Sequence, residues 1–156
     1  MGLKKYLQKR KKDKTPEPFG KFKKGKKIFV VQEHHATHLH WDFRLACQDE
    51  NGFWVLKSWA IPKEPPQKPG IKRLAAQVED HPYDYKDFEG VIPQGQYGAG
   101  RVFIWDKGRY EKIEWRNDLI EVELKGKKLK GVYILVRPKA GFNKRNWLFF
   151  KKKSEK

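Results

Sequence analysis

From residue 28 onward the chain shows no long helical hydrophobic period. Short apolar runs and period-two alternation recur instead, cut every few residues by Gly, Pro, Asn or Asp. That pattern restricts the fold to antiparallel β structure. Ile28 to Glu33 is short, apolar and β-branched, and His40 to Cys47 alternates strictly. Asp49-Glu50-Asn51-Gly52 carries the Asn-Gly hairpin signal, with Phe53 to Ala60 as the return strand. A proline-rich loop, Pro62 to Pro69, leads to a strand from Leu74 to Asp80. His81 to Gly100 reads as a long loop. Arg101 to Asp106 and Arg109 to Trp115 are expected to form a hairpin around Lys107-Gly108. Leu119 to Leu124 and Val132 to Arg137 form another, and Asn146 to Lys151 closes the set. About eight strands at this spacing fit an antiparallel barrel or a closed sandwich.

A chain of 156 residues is the size of one domain. Its 36 Lys and Arg against 19 Asp and Glu give a net charge of +17, a field that attracts polyanions. Nucleic acid is the first candidate partner, then an anionic membrane, then an acidic protein. Residues 1–27 hold 12 of those cations and only two acids, Asp13 and Glu17. Leu3, Tyr6 and Leu7 can line one face of a short basic helix before Thr15-Pro16-Glu17-Pro18 breaks the pattern. The expected organisation is a basic N-terminal arm over 1–27 and a β domain over 28–152. As an arm, 1–27 is either solvated or in contact with phosphates. A single cysteine, Cys47, excludes an internal disulfide and a thiolate metal cluster. No apolar run approaches a membrane span, so a cytoplasmic protein is expected.

Chemistry concentrates in Gln32 to Leu45, which contains four of the five histidines. Alternation sends Trp41, Phe43 and Leu45 to one face and His40, Asp42 and Arg44 to the other. His40 and Asp42 can therefore reach one cation. Two imidazoles and a carboxylate leave open positions on a divalent metal of the Mn, Fe, Co or Zn type. Arg44, one step further along, suits a phosphate. The third ligand comes from His34, His35, His38 or His81. His34 lies across a short connection, which brings it back beside His40. Glycines between His81 and Gly100 permit close backbone approach to a ligand.

Three runs then align with a known family. Gln32 to Leu45, with its His-x5-His-x-Asp-x-Arg spacing, is one. Leu56 to Lys63 and the stretch from Val78 through Gly100 are the others. Together they closely resemble the 3′-phosphoesterase domain of bacterial ligase D, over most of residues 6–150. The resemblance implies a mainly β fold, a closed antiparallel barrel with short flanking helices. It implies a Mn2+-dependent activity, with Zn2+ or Co2+ as substitutes, that removes a terminal ribonucleoside and then a 3′-phosphate. The implied metal ligands are His34, His40 and Asp42. Arg44, His81 and Tyr85 are implied at the phosphate, with His81 as general acid. Gln32, Lys63 and Arg73 fall at supporting positions, and Glu17 matches an arm position. The implied partners are DNA or RNA–DNA primer-template 3′ ends, together with an end-joining ligase or polymerase. A monomer is expected. Family members place an Asp directly after the arginine matching Arg10, where this chain has Lys11 and Lys12 before Asp13.

Two other readings use the same residues. In a non-haem Fe(II) oxygenase His40 and Asp42 would pair with a distant histidine, and His81 is the one available. A non-catalytic single-strand-binding barrel would stack bases on Trp54, Trp59 or Trp105.

Overall fold

The computed structural model describes residues 3–139 and 143–154. Residues 1 and 2 of the basic arm lie outside the described part. Helix α1 (Lys4–Lys9) is followed by strands β1 (Ile28–His35), β2 (Leu39–Gln48), β3 (Trp54–Ile61) and β4 (Lys72–Pro82). Then come β5 (Gly90–Ile92), β6 (Gly100–Trp115), β7 (Leu119–Lys125), β8 (Lys130–Val136) and β9 (Asn146–Lys151). Short 3₁₀ turns occupy Lys12–Lys14 and Tyr83–Asp87.

Strands pair in the order β1-β2-β3-β4-β9-β8-β7-β6, and β6 returns to β1. Every pairing is antiparallel. The ring is thus a closed eight-stranded barrel, which leaves no open edge among its members. Strand β5 adds to the start of β6 outside the ring. Among the described residues no helix is long and apolar enough to cross a membrane.

Two expectations fail. His81 to Gly100 is not one long loop, because β4 runs on to Pro82 and β5 occupies Gly90–Ile92. Lys107-Gly108 is not a hairpin turn: β6 runs through it as a single 16-residue strand. Its first half pairs with β1 and its second half with β7. Gly108 does not take up the positive φ of a two-residue turn. A Cβ at Gly108 would instead collide with the Lys125 carbonyl, so the glycine serves close strand approach.

The barrel interior is filled by Phe29, Val31, Phe43, Leu45, Trp59, Ile61 and further apolar residues from β4 and β6–β9. Phe43 and Phe149 meet at 4.7 Å between ring centroids, and Tyr133 stacks on Phe149. A second apolar cluster lies on the outer side of the wall: Tyr6, Leu56, Tyr83, Tyr85, Phe88, Ile92 and Val102. Tyr6, from α1, is fully buried there and donates its hydroxyl to Pro18 O at 2.6 Å. That docking holds the segment from α1 to Phe22 against the barrel wall and creates a covered space between them.

Candidate metal centre

The covered space is a cavity of about 640 Å³. Strand β2 supplies His40, Asp42 and Arg44 from its outer face, because the alternating Phe43 and Leu45 are drawn into the barrel. His34 on β1 is the direct cross-strand partner of His40. The side-chain ligand atoms of His34, His40 and Asp42 all lie within 4.8 Å of one another.

The hydrogen bonds around the two imidazoles decide which nitrogen faces the carboxylate as a lone pair. His34 Nε2 lies 2.6 Å from Gly98 O, and His40 Nδ1 lies 3.0 Å from His38 O. A carbonyl only accepts, so both of those nitrogens carry the proton. His34 Nδ1 and His40 Nε2 then turn lone pairs toward Asp42, at 3.5 Å and 3.3 Å. Three electron-rich atoms facing one another call for a cation. Backbone carbonyls that fix the tautomers from behind are the usual outer support of metal-binding histidines. The donor set therefore fits a divalent metal of the N/O-loving kind. Burial pushes Asp42 up, but Arg44, and the imidazoles when they are protonated toward it, outweigh it and hold the carboxyl far below its ordinary range. Without a cation, His40 can instead take a proton on Nε2: burial pulls its pKa down, yet the hydrogen bond that this proton donates to Asp42, and the carboxylate's charge, keep it above its ordinary value.

Arg44 is locked. Its Nε donates to Gln32 Oε1 at 2.6 Å and its Nη2 lies 3.4 Å from Asp42 Oδ2. Gln32 is itself held by donating to Tyr85 O and Phe88 O. Arg44 Nη1 is buried without any hydrogen-bond partner. A buried guanidinium donor left over in a residue that lines a cavity can serve an anion.

Across the cavity His81 is buried, with Nδ1 at 3.0 Å from Glu79 O and Nε2 at 3.4 Å from Arg10 Nη2. Burial, then the charges of Arg44 and Arg10, push its pKa well below the ordinary 6.5. Arg10 ion-pairs with Glu17 and Glu79, each at 3.1 Å, and Tyr85 donates its hydroxyl to Glu17 at 2.7 Å. Burial raises the Cys47 thiol to about 11, which disqualifies it as a nucleophile at neutral pH.

The family model for the DNA Ligase D 3′-phosphoesterase domain matches residues 32–137. The chain belongs to the ligase D 3′-phosphoesterase domain family. The multifunctional non-homologous end joining protein LigD of Pseudomonas aeruginosa is 43% identical over 160 residues, which is 97% of this chain and 18% of that protein. The LigD proteins of Mycobacterium tuberculosis and Mycolicibacterium smegmatis are each 41% identical, over 99% and 97% of this chain and 20% of theirs. The chain thus spans about a fifth of the length of these relatives.

Of the residues implied by the ligase D resemblance, His34, His40, Asp42, Arg44, His81, Tyr85 and Glu17 line the one cavity. Gln32 stands behind Arg44 rather than in the space. Lys63 and Arg73 are not brought there: Lys63 is exposed after β3, and Arg73 Nε is spent on Glu64 O at 2.9 Å. Sequence reasoning gave no role to Arg10 or Glu79, which also line the cavity. One signal was present: Arg10 is the lone arginine among the cations of residues 1–27. A planar fork suits two carboxylates, whereas lysine suits solvent.

Proposed function

We propose that this chain is a metal-dependent phosphoesterase that heals the 3′ ends of DNA or RNA–DNA strands in end-joining repair. It removes a terminal ribonucleoside and then the 3′-phosphate. The observation that carries the reading is the pairing of two inward imidazole lone pairs on Asp42 with the unpartnered Nη1 of Arg44. One half of the site asks for a cation and the other for an anion, as phosphate chemistry requires.

His34, His40 and Asp42 are assigned to hold the metal, with Mn2+ as the first choice and Zn2+ or Co2+ as substitutes. When bound, a divalent ion supplies positive charge against a phosphoryl oxygen. Arg44 orients the phosphate and stabilises charge that grows on it. Burial and the charges of Arg44 and Arg10 hold His81 neutral. A phosphate dianion offsets those charges, which restores proton affinity to Nε2 and lets it deliver a proton to the leaving oxygen. Tyr85 and Glu17 fix Arg10 through the hydroxyl–carboxylate–guanidinium chain. The relatives are named as multifunctional end-joining proteins, which supports a ligase or polymerase as the partner activity.

The test is a primer-template ending in a ribonucleotide, offered to the wild type, His40→Ala and His81→Ala with several divalent metals. Wild type should release nucleoside and then phosphate with manganese, and both variants should lose turnover while staying folded. Wild-type turnover in His40→Ala would sink the reading. The oxygenase alternative needs His81 beside His40 and Asp42, but both His81 nitrogens face Glu79 and Arg10. Base stacking on Trp59 is excluded by its complete burial, and Trp54 and Trp105 pack against the two apolar clusters.

A further inference from the structure

A second cavity, of about 310 Å³, adjoins the catalytic one. The two share Val78, Glu79 and Tyr97 as a common wall. Beyond that wall the second space is lined by Lys5, Lys9, Lys57 and Arg145. Its acids are already neutralised. Glu79 is paired with Lys9 at 3.0 Å and with Arg10, and Asp80 is paired with Lys57 at 3.1 Å. Lys5 and Arg145 have no ion pair among the described residues. The net charge left over in this space is therefore positive.

We propose that the second cavity carries the nucleic-acid strand on the 5′ side of the processed end, with Lys5 and Arg145 contacting its backbone phosphates. The proposal rests on the function above, because that reading places the 3′ end in the first cavity. A strand leaving the catalytic space over Tyr97 enters this one without crossing any other wall. The positions of the two cations are set by the fold. Lys5 and Lys9 share one face of α1, one turn apart, and the buried Tyr6 pins that helix. Arg145 is anchored through its carbonyl, which accepts from Gln77 N at 2.6 Å on β4. Contacts of this kind read phosphates and no base, which suits an enzyme that must accept any end.

A competing basic surface exists. Lys130 and the run Lys151 to Lys153 line a cavity of about 460 Å³, but that cavity shares no residue with the catalytic one. There Lys152 pairs with Glu121 and Lys151 donates to Gln67 O. Nothing links it to the reacting end, so it serves as the control.

The experiment is fluorescence anisotropy of a labelled single-stranded DNA with a 3′-phosphate, titrated with the full chain at several salt concentrations. The wild type is compared with Lys5→Ala/Arg145→Ala and with Lys130→Ala/Lys153→Ala, each confirmed as folded by its melting temperature. The first pair should weaken binding roughly tenfold and flatten the salt slope by about 1 to 2, as loss of phosphate contacts requires. The control pair should bind like wild type. Wild-type affinity in the first pair, or a larger loss in the control pair, overturns the proposal. In a turnover arm, the first pair should raise KM more for an oligonucleotide 3′-phosphate than for a nucleoside 3′-phosphate. If wild type cleaves neither, the functional reading fails, while the anisotropy result still decides where the strand lies.

Discussion

The barrel interior and the covered outer face of β1–β4 are built from the same strands and both bury side chains, yet one is packed solid and the other encloses the candidate site. Phe43 and Arg44 are neighbours on β2, and both are buried. Phe43 enters a packed aromatic core. Arg44 enters the cavity with Nε and Nη2 tied to Gln32 and Asp42 and Nη1 left without a partner. The difference lies in the cover. The interior closes when the ring closes, whereas the outer face is closed by α1, the chain to Pro18 and the turn at Tyr83–Asp87. A strand with two buried faces can spend one on stability and the other on charged groups whose desolvation the cover enforces.

The comparison breaks most visibly inside. Trp59→Ala opens a hole in the interior and should cost about 3–5 kcal/mol in denaturant unfolding. Turnover per folded molecule should persist where the variant still folds. Arg44→Ala should do the opposite, lowering kcat by about 10²–10³ with a smaller change in stability. Equal stability losses from the two substitutions would erase the distinction between the faces.

A subtler contrast appears in metal-free protein, with chelator present. His81 is held below 6.5 by burial and two guanidiniums, so the unfolded chain takes a proton that the native state refuses. Stability is therefore lost as pH falls below 6.5. His40 is raised above 6.5 despite burial, because Asp42 faces it. Its contribution is complete below 6.5 and is lost as pH rises through the folded value. His81→Ala should flatten the acid side of the stability–pH curve, and His40→Ala the alkaline side. Identical curves for both would show that the two histidines do not sit in opposite fields. The smallest effect is expected at the cover itself: Tyr6→Phe removes only the bond to Pro18 O, worth about 1 kcal/mol.

Strands were legible because alternation is local. His40-Trp41-Asp42-Phe43-Arg44-Leu45 announces its two faces without any tertiary information. The spacing from His34 to His40 likewise encodes a cross-strand pair, since a tight connection returns one beside the other. Lys107-Gly108 was misread because glycine in a turn and glycine at a close strand crossing look the same in one dimension. Arg10 and Glu79 were out of reach for another reason: they meet across 69 positions, and nothing local to either records the other. That the polar face is buried at all was equally hidden, because the covering segment reads as a basic arm, solvated or on phosphates, until Tyr6 is seen in its slot.

The most direct measurement is an anomalous difference map from crystals soaked in manganese. One strong peak is predicted, bonded to His34 Nδ1, His40 Nε2 and the Asp42 carboxylate, with Arg44 alongside. A peak that leaves those two nitrogens unligated, or that engages His81 in place of His34, would contradict the account.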